Sequence, residues 1–156
     1  MKCRLIAAGT RLPDWVNSGF REYQKRLRTP LVLELHEISV ATRGAGDSPL
    51  RAVQREGADM LTAIGRDDYV VALEIAGKSM STEQLSAWLA ERLRDARPLA
   101  LLIGGPDGLA PPCRDRADQT WSLSALTLPH ALVRVIVAEQ IYRAMSFLAG
   151  HPYHRA

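Results

Sequence analysis

The chain is predicted to be an α/β protein: stretches with strand patterning alternate with stretches of helical patterning, which implies a parallel, wound sheet in one domain. Three observations carry this reading. Residues 99–103 form an uninterrupted apolar run, as expected of a strand covered on both faces. That run stops at Gly104-Gly105-Pro106, where the backbone can turn sharply and no Cβ keeps a ligand away. The 156 residues contain neither internal repeats nor a linker, so a single domain over 1–156 accounts for them.

The elements follow in order. Residues 2–8 read as a first strand ending at Gly9. Pro13 opens a helix whose Val16, Phe20, Tyr23 and Leu27 recur at the spacing of a buried stripe, with Pro30 to end it. Beside that stripe Arg21, Lys25 and Arg28 line up. Residues 31–38 alternate as a second strand, and 41–48 form a polar, glycine-containing loop, the best candidate for a mobile segment. Arg43 in that loop reads either as a phosphate contact or as a solvated side chain. Ser48 caps a helix with Pro49 at its first position, running to about Gly65. Residues 69–75 are the third strand. Gly77-Lys78-Ser79 looks like the end of a phosphate-binding P-loop, but that motif needs glycine where Ala72 stands in mid-strand, so it is rejected.

Ser81 or Thr82 starts a helix through Leu85, Trp88, Leu89 and Leu93. After the central strand come a short helix over 112–117 and a short strand over 120–123. A long apolar helix runs from Pro129 to about Ala149, stopped by Gly150 and Pro152. The tail, 151–155, is expected to leave it extended and outside the core. Because the last helix is apolar around most of its circumference, part of it should meet another subunit, with Ile141 and Phe147 as partner-facing candidates.

Composition is that of an ordinary soluble protein, 47% hydrophobic and 24% charged. No run approaches membrane-spanning length, and the N-terminal apolar run is too short for a signal peptide. Cys3 and Cys113 stand alone, which fits a reduced, cytoplasmic protein with neither a disulfide framework nor a zinc site. Net charge is +3, but the first thirty residues hold seven Lys/Arg against Asp14 and Glu22, a balance of +5, leaving −2 for the rest. That asymmetry suits a surface facing a polyanion, and equally a solvated helix face.

Two segments could wall a ligand pocket that reads through backbone groups: Ile103-Gly-Gly-Pro-Asp-Gly108 and Leu123-Ser-Ala-Leu-Thr-Leu-Pro-His130. Each alone is more often an ordinary turn or connection. Together with Val133-Arg-Val-Ile-Val-Ala-Glu-Gln-Ile-Tyr-Arg-Ala144 and the terminal His151-Pro-Tyr-His-Arg155, they resemble one family closely. It is the ribosomal RNA large subunit methyltransferase H group of the SPOUT superfamily. The likeness runs from Gly9-Thr10 and Pro13-Asp14-Trp15 to Arg155, with one departure at Ala131, where a second proline is expected.

The resemblance implies a C-terminal trefoil knot, which no pattern in the residues could suggest. It implies S-adenosylmethionine as cofactor, held by Leu73, Gly104, Gly105, Leu123, Ser124, Ala125, Leu126, Thr127 and Leu128. It implies methylation of N3 of a pseudouridine in 23S ribosomal RNA, expected within the assembled ribosome, by a homodimer that completes its active site across the interface. No metal and no membrane enter this reading.

His130 is the preferred polar participant, since a helix N-terminus disfavours imidazolium and leaves the ring able to accept a proton; a capping role is the alternative. Arg143 could meet phosphate or pair with Glu139 at i−4. Tyr153, His154 and Arg155 could hold an unpaired base and phosphate, as could Arg21, Lys25 and Arg28, or the tail could be a frayed end. Gly104→Val is expected to fill the cofactor site and leave the fold intact. A noncatalytic ribosome-binding factor and a dinucleotide enzyme are the other classes open to this sequence. Gly104-Gly105 followed by Gly108 lacks the dinucleotide spacing.

Overall fold

A computed structural model of the chain describes residues 1–40, 46 and 48–155. Arg43 and most of its loop lie outside the described residues. Five strands, β1 (Lys2–Ala8), β2 (Val32–Ile38), β3 (Tyr69–Ser79), β4 (Leu99–Ile103) and β5 (Gln119–Ser122), form one parallel sheet in the order β2-β1-β4-β3-β5. Five helices connect or follow them: α1 (Asp14–Gln24), α2 (Pro49–Ala63), α3 (Thr82–Asp95), α4 (Pro111–Arg116) and α5 (His130–Leu148).

Side-chain alternation along the strands decides which helix covers which face. Leu5, Leu99, Leu101 and Ile103 point to the layer of α1, α3 and α5, where they meet Phe20, Leu89 and Ile141. Ile6, Ala8, Ala100 and Leu102 point to the layer of α2 and α4, against Met60, Ala110 and Cys113. All five residues of β4 are buried, as the apolar run requires. Ser48 Oγ accepts from Arg51 N, and Ser81 with Gln84 makes a reciprocal capping box, so α2 and α3 begin where their caps place them.

Four expectations need correction. The first helix stops at Gln24, and a tighter turn, with Arg26 N donating to the Tyr23 carbonyl and Leu27 N to that of Gln24, still delivers Leu27 to the core. β3 continues to Ser79, beyond the expected end at Ile75, because Gly77 lets it lie against β5. Ile141 is only 2% exposed and belongs to the chain's own core, so it cannot face a partner. The tail is not extended: Pro152–Arg155 form a 3-10 turn folded back on α5, with the Tyr153 ring 4.7 Å from that of Tyr142 and His154 5.0 Å from Phe147. No helix among the described residues is long and apolar enough to cross a membrane.

Candidate active site

A cavity of about 700 Å³ opens where the carboxyl ends of β3 and β4 meet the loop after β5 and the start of α5. This is the edge at which open α/β sheets hold ligands. Its first wall comes from an irregularity in β3. Leu73 pairs with Trp121, and pairing resumes with Lys78 opposite the same Trp121, so residues 74–77 bulge and turn Glu74, Ile75 and Ala76 to the cavity. Gly77 permits this, because a Cβ there would stand 2.7 Å from the Trp121 carbonyl carbon. The glycine that imitates a phosphate loop in sequence is present for close packing.

The second wall is the turn after β4. Gly108 N donates to the Gly105 carbonyl at 3.0 Å around Pro106 and Asp107, and Gly108 takes φ +81°, natural for glycine alone. A Cβ on Gly104 would lie 2.5 Å from the Gly108 carbonyl carbon and 2.7 Å from Leu109 N. Gly104→Val would therefore break the loop itself, which corrects the expectation that the fold would persist around a filled pocket. Gly105 would point a Cβ at Glu56 and Ala8, away from the cavity.

The third wall is the segment after β5. Ser122 Oγ donates to the Ser124 carbonyl at 3.1 Å, and Ser124 Oγ accepts from Leu126 N at 3.0 Å. These bonds shape a loop that puts Leu123, Ser124, Leu126, Thr127 and Leu128 on the cavity, while Ala125 does not reach it. Leu73, Gly104 and Gly105 also line it, so eight of the nine expected cofactor positions converge. Glu74, Trp121 and Val133 line it too and were missed, because in sequence they are indistinguishable from core or surface residues.

His130 closes the cavity at the first turn of α5. Its imidazole is held below the usual histidine pKa, first by burial and then by the neighbouring charge of Arg134. The shift favours the neutral ring, and its causes, burial and Arg134, come from tertiary packing. Arg134, 1% exposed, donates from Nη1 to Glu37 Oε1 at 2.7 Å and from Nη2 to the carbonyls of Ala8 (3.1 Å) and Gly9 (2.6 Å). Burial pulls its pKa down while Glu37 pulls it up. Arg134 ties the head of α5 to the end of β1. The signal that could have revealed it is an arginine set between Val133 and Val135 in an otherwise apolar run.

The other candidates stand apart from the cavity of their own chain. Arg143 is thirteen residues further along α5 than His130, roughly 20 Å at 1.5 Å per residue. It pairs with Glu139, at 2.8 Å from Nε and 2.6 Å from Nη2. Tyr153 donates to the same Glu139 oxygen at 3.2 Å beneath the Arg143 guanidinium, and His154 and Arg155 share its turn. Lys25 pairs with Glu22, Arg28 Nε donates to the Lys25 carbonyl, and Arg21 lines a separate cleft. Among the described residues no group of three or more His, Cys, Asp or Glu is arranged to hold a metal ion.

A parallel sheet of this order, with a cavity of this size walled by three loops at its carboxyl edge, defines an α/β protein with a candidate ligand site at the position usual for that architecture. The chain belongs to the SPOUT methyltransferase family: a family model described as "Predicted SPOUT methyltransferase" matches residues 1–154. It is 54% identical over 156 residues, 100% of both chains, to the protein of Alkalilimnicola ehrlichii named Ribosomal RNA large subunit methyltransferase H.

Proposed function

We propose that this enzyme transfers a methyl group from S-adenosylmethionine to N3 of a pseudouridine in 23S ribosomal RNA, acting as a homodimer in the cytoplasm. The observation that carries the proposal is the convergence of the three loops and His130 on one cavity, in a chain alike end to end with a ribosomal RNA methyltransferase. A volume near 700 Å³ suits a nucleoside-sized cofactor. Leu73, Leu123 and Leu128 can cover a flat ring, and the backbone of the 104–109 and 122–128 segments can match its polar edge. Glu74 is the acid on the wall, with Arg114 3.9 Å from its carboxylate.

S-adenosylmethionine would supply an electrophilic methyl carbon bound to sulfur. The protein must hold the base nitrogen in line with it, and positioning of that kind is worth about 7–11 kcal/mol. Methylation at N3 would require the N3 proton to leave, and His130, whose pKa is lowered by burial and Arg134, would be the group to take it.

Support for a dimer comes from apolar surface left on the monomer: Trp15 is 60% exposed, Phe147 37% and Leu148 40%. A second copy would also explain how Arg143 and the tail, far from their own cavity, could serve one. The test pairs calorimetry with methylation. S-adenosylmethionine should bind and NAD should not, and radiolabelled methyl should pass to large-subunit ribosomal RNA lacking the modification. Cofactor binding without transfer to that RNA would overturn the substrate assignment. Light scattering should report a dimer that Phe147→Glu weakens; a stable wild-type monomer would remove the shared site.

A further inference from the structure

On the other side of α1 a second cleft, about 440 Å³ in volume, opens against β2 over Phe20 and Leu35. Most of its polar lining is already committed. Asn17 Nδ2 donates to the Leu12 carbonyl at 3.2 Å, fastening the loop after β1 to α1. Gln24 Nε2 donates to the Leu33 carbonyl at 3.0 Å. The Glu37 carboxylate is neutralised by Arg134. Arg11 and Arg21 remain, both exposed and, among the described residues, neither with a hydrogen-bond or ion-pair partner.

Arg11 also adopts a left-handed backbone conformation, φ 55°. L residues pay for that conformation in strain, whereas glycine adopts it freely. Arg21 lies in the last turn of α1, where a cation suits the helix dipole. No such account covers Arg11. The cleft thus presents one strained residue and two exposed cations, a setting in which a bound anion would gain charge-assisted hydrogen bonds and offset the strain.

The cleft also adjoins the active site. A Cβ on Gly9 would lie 3.2 Å from Arg134 Nη2 and 3.7 Å from His130 Nε2, so one buried arginine separates the Glu37 wall of the cleft from the catalytic imidazole.

We propose that this cleft is a subsite for a phosphodiester of the RNA strand whose base enters the cavity, held by Arg11 and Arg21. The assignment rests on the RNA reading given above. It moves the main backbone contact away from Lys25 and Arg28, whose groups are engaged with Glu22 and with the chain itself.

The test uses the full-length protein carrying Arg11→Gly with Arg21→Gln. Binding to large-subunit ribosomal RNA is measured over a series of KCl concentrations, alongside S-adenosylmethionine calorimetry and thermal unfolding. The double variant should lose about one unit of salt slope per arginine and bind the RNA at least tenfold more weakly, with cofactor affinity unchanged. Arg11→Gly alone should melt no lower than wild type, because it relieves the backbone. Lys2→Gln with Arg94→Gln removes equal charge elsewhere and should leave the slope as it was. An unchanged slope in the double variant of an enzyme that still methylates overturns this assignment alone, as does an equal loss in the Lys2/Arg94 pair. A wild-type chain that binds the cofactor but no ribosomal RNA overturns the functional reading as well.

Discussion

Two arginines nine residues apart on α5 sit in contrasting surroundings. Arg134 is almost wholly enclosed, and its guanidinium is shared among Glu37 and two main-chain carbonyls from the end of β1. Arg143 keeps 19% of its side chain exposed and pairs with Glu139 one turn back on its own helix. The first joins three elements distant in sequence; the second joins a helix to itself and to its tail. Position relative to the sheet sets the role: near the carboxyl edge of the strands Arg134 reaches carbonyls at the end of β1, whereas further along α5 Arg143 meets Glu139 and Tyr153 of its own helix and tail.

Arg134→Met should show the largest effect. It leaves Glu37 without its cation and two carbonyls without donors, a kind of loss that costs about 3–5 kcal/mol when a buried pair is broken. Denaturant unfolding should show this as a lower midpoint with little change in slope. Arg134→Lys should recover part of it, since one ammonium cannot reproduce the guanidinium fork. A variant as stable as wild type would mean that Arg134 holds nothing together.

Gly104→Ala comes next. Even a methyl group there would press on the Gly108 and Leu109 backbone, so cofactor affinity and stability should fall together, the latter by roughly 1–3 kcal/mol as for other overpacking. Wild-type calorimetry in this variant would take the 104–109 turn out of the site. The pH profile sharpens the Arg134 side of the comparison without altering the fold. Because burial and Arg134 lower the His130 pKa, the ring stays neutral below the ordinary value of 6.5, and its protonation in the unfolded chain favours unfolding as pH drops. Methylation should therefore be level through neutral pH and decline only on the acid side of 6.5. A decline beginning above that value would show that the group titrating is not His130 in this setting.

How much of this could be read from residues alone follows the same division. β4 was legible because a run buried on both faces has a one-dimensional signature, and the glycine turn after it was legible because backbone chemistry is written in Gly and Pro. The long apolar last helix was legible too, though which of its residues face inward was not: Ile141 and Phe147 look alike in sequence and differ in burial. Arg134 escaped because its partners come from residues about a hundred positions away. The bulge at 74–77 escaped because it depends on a glycine whose need for close approach appears only once β5 lies beside it. The tail was misread as extended because Gly150 and Pro152 mark where a helix ends and say nothing of Tyr153 finding Tyr142 and Glu139.

Truncation after Gly150 should cost less, about 1–2 kcal/mol, from loss of the Tyr153 hydrogen bond and its edge contact with Tyr142. The shortened protein should remain dimeric, bind S-adenosylmethionine and fail to methylate ribosomal RNA. Normal methylation would show the tail to be dispensable, and lost cofactor binding would make it part of the cavity.

Arg143→Gln should perturb stability least. Glu139 would keep the Tyr153 hydroxyl and the Gln140 amide (2.6 Å) as donors, so its carboxylate is not stranded and the cost should stay near 1 kcal/mol or below. The effect on methylation separates two accounts of the same side chain. If Arg143 only braces α5 and the tail, kcat and KM should change no more than that small stability loss implies. If it meets the RNA bound by the partner, kcat/KM for ribosomal RNA should fall at least tenfold while cofactor affinity holds. Mixing Arg143→Gln protomers with protomers carrying Gly104→Ala then decides the matter. Only a site assembled from both chains can regain activity in the mixed dimer, because one of its two cavities combines an intact glycine turn with an intact arginine. Activity in the mixture that neither variant shows alone would establish the shared site, and no recovery would confine Arg143 to its own helix.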